Sequence, residues 1–213
     1  MSATIIDFVR HGACEGGPML RGRTDVELSA EGTRQIEAVL GWLPTPTHVI
    51  SSPLKRCRRM GERLAETAGV ELDVDARWAE MDFGDWDGRP VAELYEQDPD
   101  HLARFWAAPA LAGPPGGETL SAFEQRVGEA LKDRLMCHER HTVVMTHGGV
   151  IRAVLQQVLG MNHDAGAYVH RLDVPYASVA RVRVDHDEAV PRLRLLHHGV
   201  VQAPFALPDA LNY

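Results

Sequence analysis

Four side chains in this 213-residue sequence could together carry out a reaction at phosphorus. Arg10 and His11 stand side by side in "FVRHG", Arg56 lies in "SSPLKRC", and His147 lies in "VVMTHGG". A guanidinium presents a planar fork of N–H donors that matches phosphate oxygens. Nearby cations favour the neutral form of imidazole, which is the nucleophilic one. Neutral imidazole can attack phosphorus, and water or a second alcohol can then open the phosphohistidine. The remaining cations would hold the three equatorial oxygens as charge spreads over them. A leaving alkoxide needs a proton, and Glu80 in "ARWAEMDFGDWDG" is the candidate donor. Taken singly each piece is weak. A histidine at a strand end is more often a hydrogen-bonded structural residue, "HGG" is an ordinary tight turn, and "KRCRR" reads as a solvated helix face.

The elements around these residues give the pieces their joint meaning. Residues 4–9 read as a buried strand ending at Gly12, and "THVISS" (47–52), "VELDV" (70–74) and "HTVVMT" (141–146) as further strands. Helices are predicted over 29–43, with Ser29 as N-cap, and over 53–69, ending at Gly69. Two more are predicted over 119–137 and 148–160. "SVARVRV" and "RLRLLH" close the pattern as strands, a candidate hairpin. Strand–helix alternation of this kind predicts a three-layer α/β/α sandwich with a mainly parallel sheet. Ligands of open α/β sheets sit beyond the carboxyl ends of strands. Arg10–His11 and His147 both follow strands, and Arg56 lies just inside a helix that follows another. The helix beginning near Gly148 would add the positive end of its dipole. Residues 76–118, aromatic-rich, acidic and closed by "GPPGGE", read as an irregular cap-like insertion in a single domain spanning 1–213.

Bulk composition narrows the function classes. The chain is 45% hydrophobic and 24% charged, a globular profile, and its formal charge of -8 argues against a nucleic-acid partner. Cys14, Cys57 and Cys137 are odd in number and widely spaced, so neither a disulfide framework nor a zinc site is expected. "MSATIIDF" lacks the basic region of a signal peptide, and no apolar run approaches a membrane span. The expectation is a cytoplasmic protein with no membrane partner.

In chain order, "VRHG", "GRTDVELSAEG", "SSPLKRC", "AEMDFGDWDG", "PPGGETLSAFEQRV" and "VVMTHGGVIR" resemble the successive motifs of the histidine phosphatase superfamily, phosphoglycerate mutase-like, branch 1. The resemblance runs from residue 5 to about 160. It implies His11 as the phosphorylated nucleophile, Glu80 as proton donor, and Arg10, Arg56 and His147 as the phosphate pocket. It implies that Arg21, Gly22 and Gly148 line the substrate side, and that neither metal nor organic cofactor is needed. "GRTD", "PPGGET" and "THGGVIR" are most similar to α-ribazole phosphatases, which act in cobalamin synthesis. Two positions depart from the family pattern. Ala13 stands where a glutamate often follows "RHG", and Gly17 where an asparagine is common, so the loop offers fewer polar contacts to a phosphate.

Rival readings can be weighed on the same residues. "CRRMGER" fits the C-x5-R pattern of cysteine phosphatases, but residues 53–68 read as continuous helix whose N–H groups are spent internally. Cys57 is then a small packed residue. Asp82, Asp85 and Asp87 read as a solvated acidic rim rather than a metal site, with Trp78, Phe83 and Trp86 covering the cap or stacking on a flat substrate base. His138 and His141 miss the zinc-protease spacing and read as polar residues between helix and strand, and His197 and His198 as surface residues. Three functions remain: a phosphomonoesterase for a small phosphorylated substrate, a phosphomutase, and a non-catalytic phosphate-binding module.

Overall fold

A computed structural model describes residues 3–161, 166–186 and 190–201. Strands β1 (Ala3–Arg10), β2 (His48–Ser51), β3 (Leu72–Val74), β4 (His141–Thr146), β5 (Ser178–Asp185) and β6 (Arg192–Val200) form one sheet in the order β3-β2-β4-β1-β5-β6. The four strands from β3 to β1 run parallel, while β5 and β6 are antiparallel additions on the far side of β1. Helices α1 (Ala30–Trp42) and α2 (Lys55–Ala68) cover one face, burying Ile36, Val39, Met60 and Leu64 against Val9, Val143 and Val179. Helices α5 (Leu120–Leu135) and α6 (Gly148–Val158) cover the other, burying Val127, Leu131, Ile151 and Leu155 against Ile6, Phe8 and Val144. Strands buried on both faces read as predominantly apolar runs, which is why β1, despite Asp7, and β4 stand out in the sequence.

The local signals act as the sequence suggests. Ser29 Oγ accepts the Gly32 N–H at the start of α1, and Thr119 accepts the Ala122 N–H at the start of α5. Gly69 ends α2 in the left-handed region at φ 69°. In parallel register Arg10 pairs with Thr146, so β1 and β4 expire together and His11 and His147 leave the sheet side by side.

The segment 76–118 differs from the irregular insertion expected. It contains α3 (Val91–Gln97) and α4 (Pro99–Ala107), with Asp98 capping α4 through the His101 N–H and Pro99 at its first turn. Both helices are too short for their periodicity to register, and Pro99 between them reads as a breaker. They bury Leu94, Leu102 and Phe105 with Leu20 and Trp86 in a small core of their own. Trp78 does not cover this cap; it is fully buried in the main core, its ring 5.6 Å from that of Phe8. A short helix, α7 (Tyr168–Arg171), was not foreseen at all.

Candidate active site

His11 continues directly from β1, its backbone pinned by its N–H to the Thr146 carbonyl and by the Ala177 N–H to its own carbonyl. Its Nδ1 lies 2.8 Å from the Gly12 carbonyl oxygen. A carbonyl only accepts, so Nδ1 carries the proton and Nε2 keeps its lone pair. Burial, then the charges of Arg56 and Arg10, hold His11 well below the usual histidine range, so it is neutral. His147, whose ring centroid is 5.2 Å from that of His11, is neutral for the same reasons. Its Nδ1 accepts from Arg56 Nε at 3.3 Å, and its Nε2–H donates to Ser52 Oγ at 2.8 Å.

Arg56 is completely buried. Beyond His147, its guanidinium donates to the carbonyls of Thr24 (2.8 Å), Arg21 (3.1 Å) and Gly22 (2.8 Å). The sequence reading gave this fork to the phosphate. Here its donors staple the "RGRT" loop, and its charge is what reaches His11. The same loop is held from outside by Asp87, whose carboxylate accepts the N–H groups of Gly22 (3.3 Å) and Thr24 (3.0 Å). Asp87 is therefore a structural anchor, whereas Asp85 is exposed in keeping with an acidic rim. Arg21 turns its guanidinium to the carbonyls of Glu15, at 2.6 Å, and Gly17.

Glu80 is fixed at both oxygens: Oε1 accepts the Met81 N–H and Oε2 the Gly149 N–H, each at 3.0 Å. A Cβ on residue 149 would fall 2.2 Å from Glu80 Oε1, so only glycine admits the carboxyl group. Gly149, beside the Gly148 singled out from sequence, is thus the residue that seats the acid.

These groups open on a cavity of about 260 Å³. Arg10, His11, Arg21, Glu80 and Arg152 form its polar side. Phe83, Phe105, Trp106, Phe123 and Tyr176 form an aromatic side. Of the residues chosen from sequence, Arg56, His147, Gly22 and Gly148 do not line it; they stand behind the wall. Arg10 donates to the Val174 carbonyl and lies over the Tyr176 ring, its Cζ 4.1 Å from the centroid. Sequence reasoning missed Arg152 and Tyr176. Arg152 was legible, since it lies one helical turn after Gly148 on the same face of α6. Tyr176 follows no periodic pattern; it precedes Ala177, which has φ 55°.

The rival site chemistries meet the geometry differently. Cys57 is buried with its Sγ on the Thr146 carbonyl at 3.2 Å, and burial pushes its thiol far up. Arg63, its partner in the C-x5-R reading, is exposed and pairs with Glu37 at 2.5 Å. That reading fails because α2 is a helix and presents the two residues to opposite environments. His141 is not a polar linker residue but is buried on Asp7 at 2.8 Å. His197 and His198 are half-buried rather than surface residues. Among the described residues no group of three or more His, Cys, Asp or Glu could hold a metal ion, and no helix is long and apolar enough to cross a membrane.

A neutral histidine at a strand end, ringed by guanidiniums and faced by a carboxyl group, thus stands at the carboxyl edge of an α/β sheet. The chain belongs to the histidine phosphatase superfamily, branch 1, whose family model matches residues 6–196. It is 32% identical over 192 residues to the bifunctional protein Rv2228c of Mycobacterium tuberculosis, covering 86% of this chain and 51% of that one. The chain thus spans about half the length of this curated relative. It is 32% identical over 161 residues to phosphoserine phosphatase 1 of Hydrogenobacter thermophilus, covering 73% and 76% of the two chains. The solved structure of the mycobacterial glucosyl-3-phosphoglycerate phosphatase Rv2419c superposes with a TM-score of 0.77 at 26% identity, covering 91% and 97%.

Proposed function

We propose that this protein is a phosphomonoesterase that hydrolyses a small phosphate ester through a phosphohistidine on His11. The observation that carries the reading is the fixed tautomer of a neutral His11, whose free Nε2 lone pair shares one cavity with Glu80 and Arg10. In the first half-reaction the Nε2 pair forms the N–P bond while the bond from phosphorus to the ester oxygen breaks. The Glu80 carboxyl gives its proton to the departing oxygen. In the second half, water attacks phosphorus, its proton passes to the Glu80 carboxylate, and the N–P bond breaks to release phosphate and neutral His11. Arg10 and Arg21 hold the equatorial oxygens, and Arg56 and His147 support them from behind. No metal or organic cofactor enters this scheme. Segment 76–118 serves as the cap of a single domain and places aromatic rings where the alcohol half of the ester would lie. Those rings, with the "GRTD" and "PPGGET" loops, support α-ribazole 5′-phosphate, a flat-ringed ester, as the first substrate to try. The free thiols of Cys14, Cys57 and Cys137 suit a cytoplasmic setting.

The test is a hydrolysis panel in chelator with p-nitrophenyl phosphate, α-ribazole 5′-phosphate, phosphoserine and 3-phosphoglycerate, with His11→Ala as control. Selective, His11-dependent release of phosphate from the ribazole ester supports mechanism and substrate together. Transfer between added phosphoglycerates without net hydrolysis would replace the reading with a mutase. Phosphate binding without any turnover would replace it with a binding module.

A further inference from the structure

The polar side of the cavity contains more unsatisfied positive charge than the residues chosen from sequence account for. Arg152, half-buried on α6, donates its Nε to the Leu172 carbonyl at 2.9 Å, which fixes the plane of its guanidinium. Its two terminal nitrogens have no protein partner among the described residues, and no carboxylate pairs with it. Arg10, next to it, has only the Val174 carbonyl on Nη1, and its Nε is buried with no partner. Both guanidiniums touch one point. The Cβ that Gly148 lacks would lie 3.3 Å from Arg10 Nε and 3.3 Å from Arg152 Nη1.

Two guanidiniums brought together at a cavity wall repel each other, and an unpartnered buried N–H is costly. A bound anion between them would relieve both penalties. Arg56 already spends most of its donors on His147 and on three carbonyls. Gly17 leaves the loop side without a polar side chain. Arg21 also lines the cavity and has a buried Nε without a partner, but its Nη2 is held on the Glu15 and Gly17 carbonyls; Arg152 is the cavity-lining cation whose free donors converge with those of Arg10.

We propose that Arg152 is a second phosphoryl clamp, which with Arg10 grips the equatorial oxygens of the group that His11 attacks. The proposal rests on the phosphoesterase reading above for its catalytic consequence, but its binding consequence can be read without turnover. Arg–phosphate contacts are charge-assisted and often bidentate, so losing one should weaken binding by about 10- to 100-fold.

The experiment is isothermal titration of the full chain with inorganic phosphate, for wild type, Arg152→Ala and Arg152→Lys. Steady-state kinetics on an aryl and an alkyl ester and thermal melts of each variant accompany it. Arg152→Ala should bind phosphate about 10- to 100-fold more weakly at an unchanged melting temperature, and Arg152→Lys, which keeps the charge but not the fork, should fall between. kcat/KM should drop by the same factor for both esters. Unchanged phosphate affinity with loss on one ester only would overturn the proposal and make Arg152 a reader of the alcohol half. If the alanine variant does not fold, wild-type phosphate affinity in Arg152→Lys would overturn it. Phosphate that binds wild type and is weakened by Arg152→Ala, with no ester turned over by wild type, would keep the clamp and discard the esterase reading.

Discussion

Clusters of histidine, arginine and carboxylate side chains flank strands β1 and β4 toward both of their ends, with opposite outcomes. Toward the amino end, Asp7 is fully buried and accepts from Arg181 Nε at 2.7 Å, Arg181 Nη2 at 2.6 Å and His141 Nε2 at 2.8 Å. Burial alone would raise the Asp7 carboxyl, but the hydrogen bonds from Arg181 and His141 outweigh it and hold the group below the usual range. Toward the carboxyl end, Arg10, Arg21, Arg56 and Arg152 surround two neutral histidines, with Glu80 as the sole carboxylate lining the cavity among the described residues. The first cluster closes its charges internally and pins β1, β4 and β5 together. The second leaves positive charge and free donors facing a cavity. Residue type does not separate structure from function here; the balance of charge does.

That comparison can be broken at either end. The largest effect should come from His11→Ala, which removes the nucleophile and should lower turnover about ten-thousand-fold while phosphate still binds. Retained turnover would take the chemistry away from the carboxyl end. Asp7→Asn should do the reverse. It breaks the buried ion pair between Asp7 and Arg181 and should cost about 3–5 kcal/mol in denaturant unfolding, with little change in kcat of the folded protein. A large fall in kcat at unchanged stability would show that the two ends are one functional unit. Glu80→Gln should slow alkyl phosphates by about 100-fold and aryl phosphates much less, because an aryl oxide leaves with little protonation. Equal slowing of both would remove Glu80 from the acid role.

The smallest effect is in pH dependence. Folded His11 and His147 stay neutral, whereas in the unfolded chain each takes up a proton near its ordinary value of 6.5. The unfolded state therefore binds more protons below that pH, and stability should fall as pH drops, by about 1.4 kcal/mol per pH unit for each histidine. Above about pH 6.5 neither contributes to the slope. Asp7, with its lowered carboxyl, acts in a separate window. Its stabilisation is fully present above its ordinary value of 3.8 and is lost only as pH falls through the lower folded value. Urea unfolding of His11→Ala between pH 4.5 and 7 should show a shallower slope than wild type, and equal slopes would mean that His11 is charged in the fold.

The order of strands and helices was legible because β1 and β4 are rich in β-branched and apolar residues and because Ser29, Thr119 and Gly69 are strong end signals. The coincidence of His11 and His147 was legible because parallel strands place their carboxyl ends on one edge. What escaped was whatever depends on how a side chain's donors are spent. Nothing in "SSPLKRC" says that the Arg56 fork ends on backbone carbonyls, or in "DWDG" that Asp87 anchors a loop 63 residues earlier. Tyr176 escaped because cation–π packing on Arg10 requires only an aromatic ring at a turn, which leaves no period to read. The buried His141 escaped because its partner Asp7 is 134 residues away in sequence and meets it only across the sheet.

Strand β1 lies between β4 and β5, and neither neighbour is encoded before residue 141. As the chain leaves the ribosome, β1 must therefore wait with both edges unpaired until β4 has been made, a condition that invites aggregation. The same delay means that His11 meets His147, Gly149 and Tyr176 only after residue 176 has been made. An incomplete chain would carry the nucleophile without the groups that make it reactive. The sheet order thus doubles as a timer that keeps the His11 cluster unassembled until its last member has emerged.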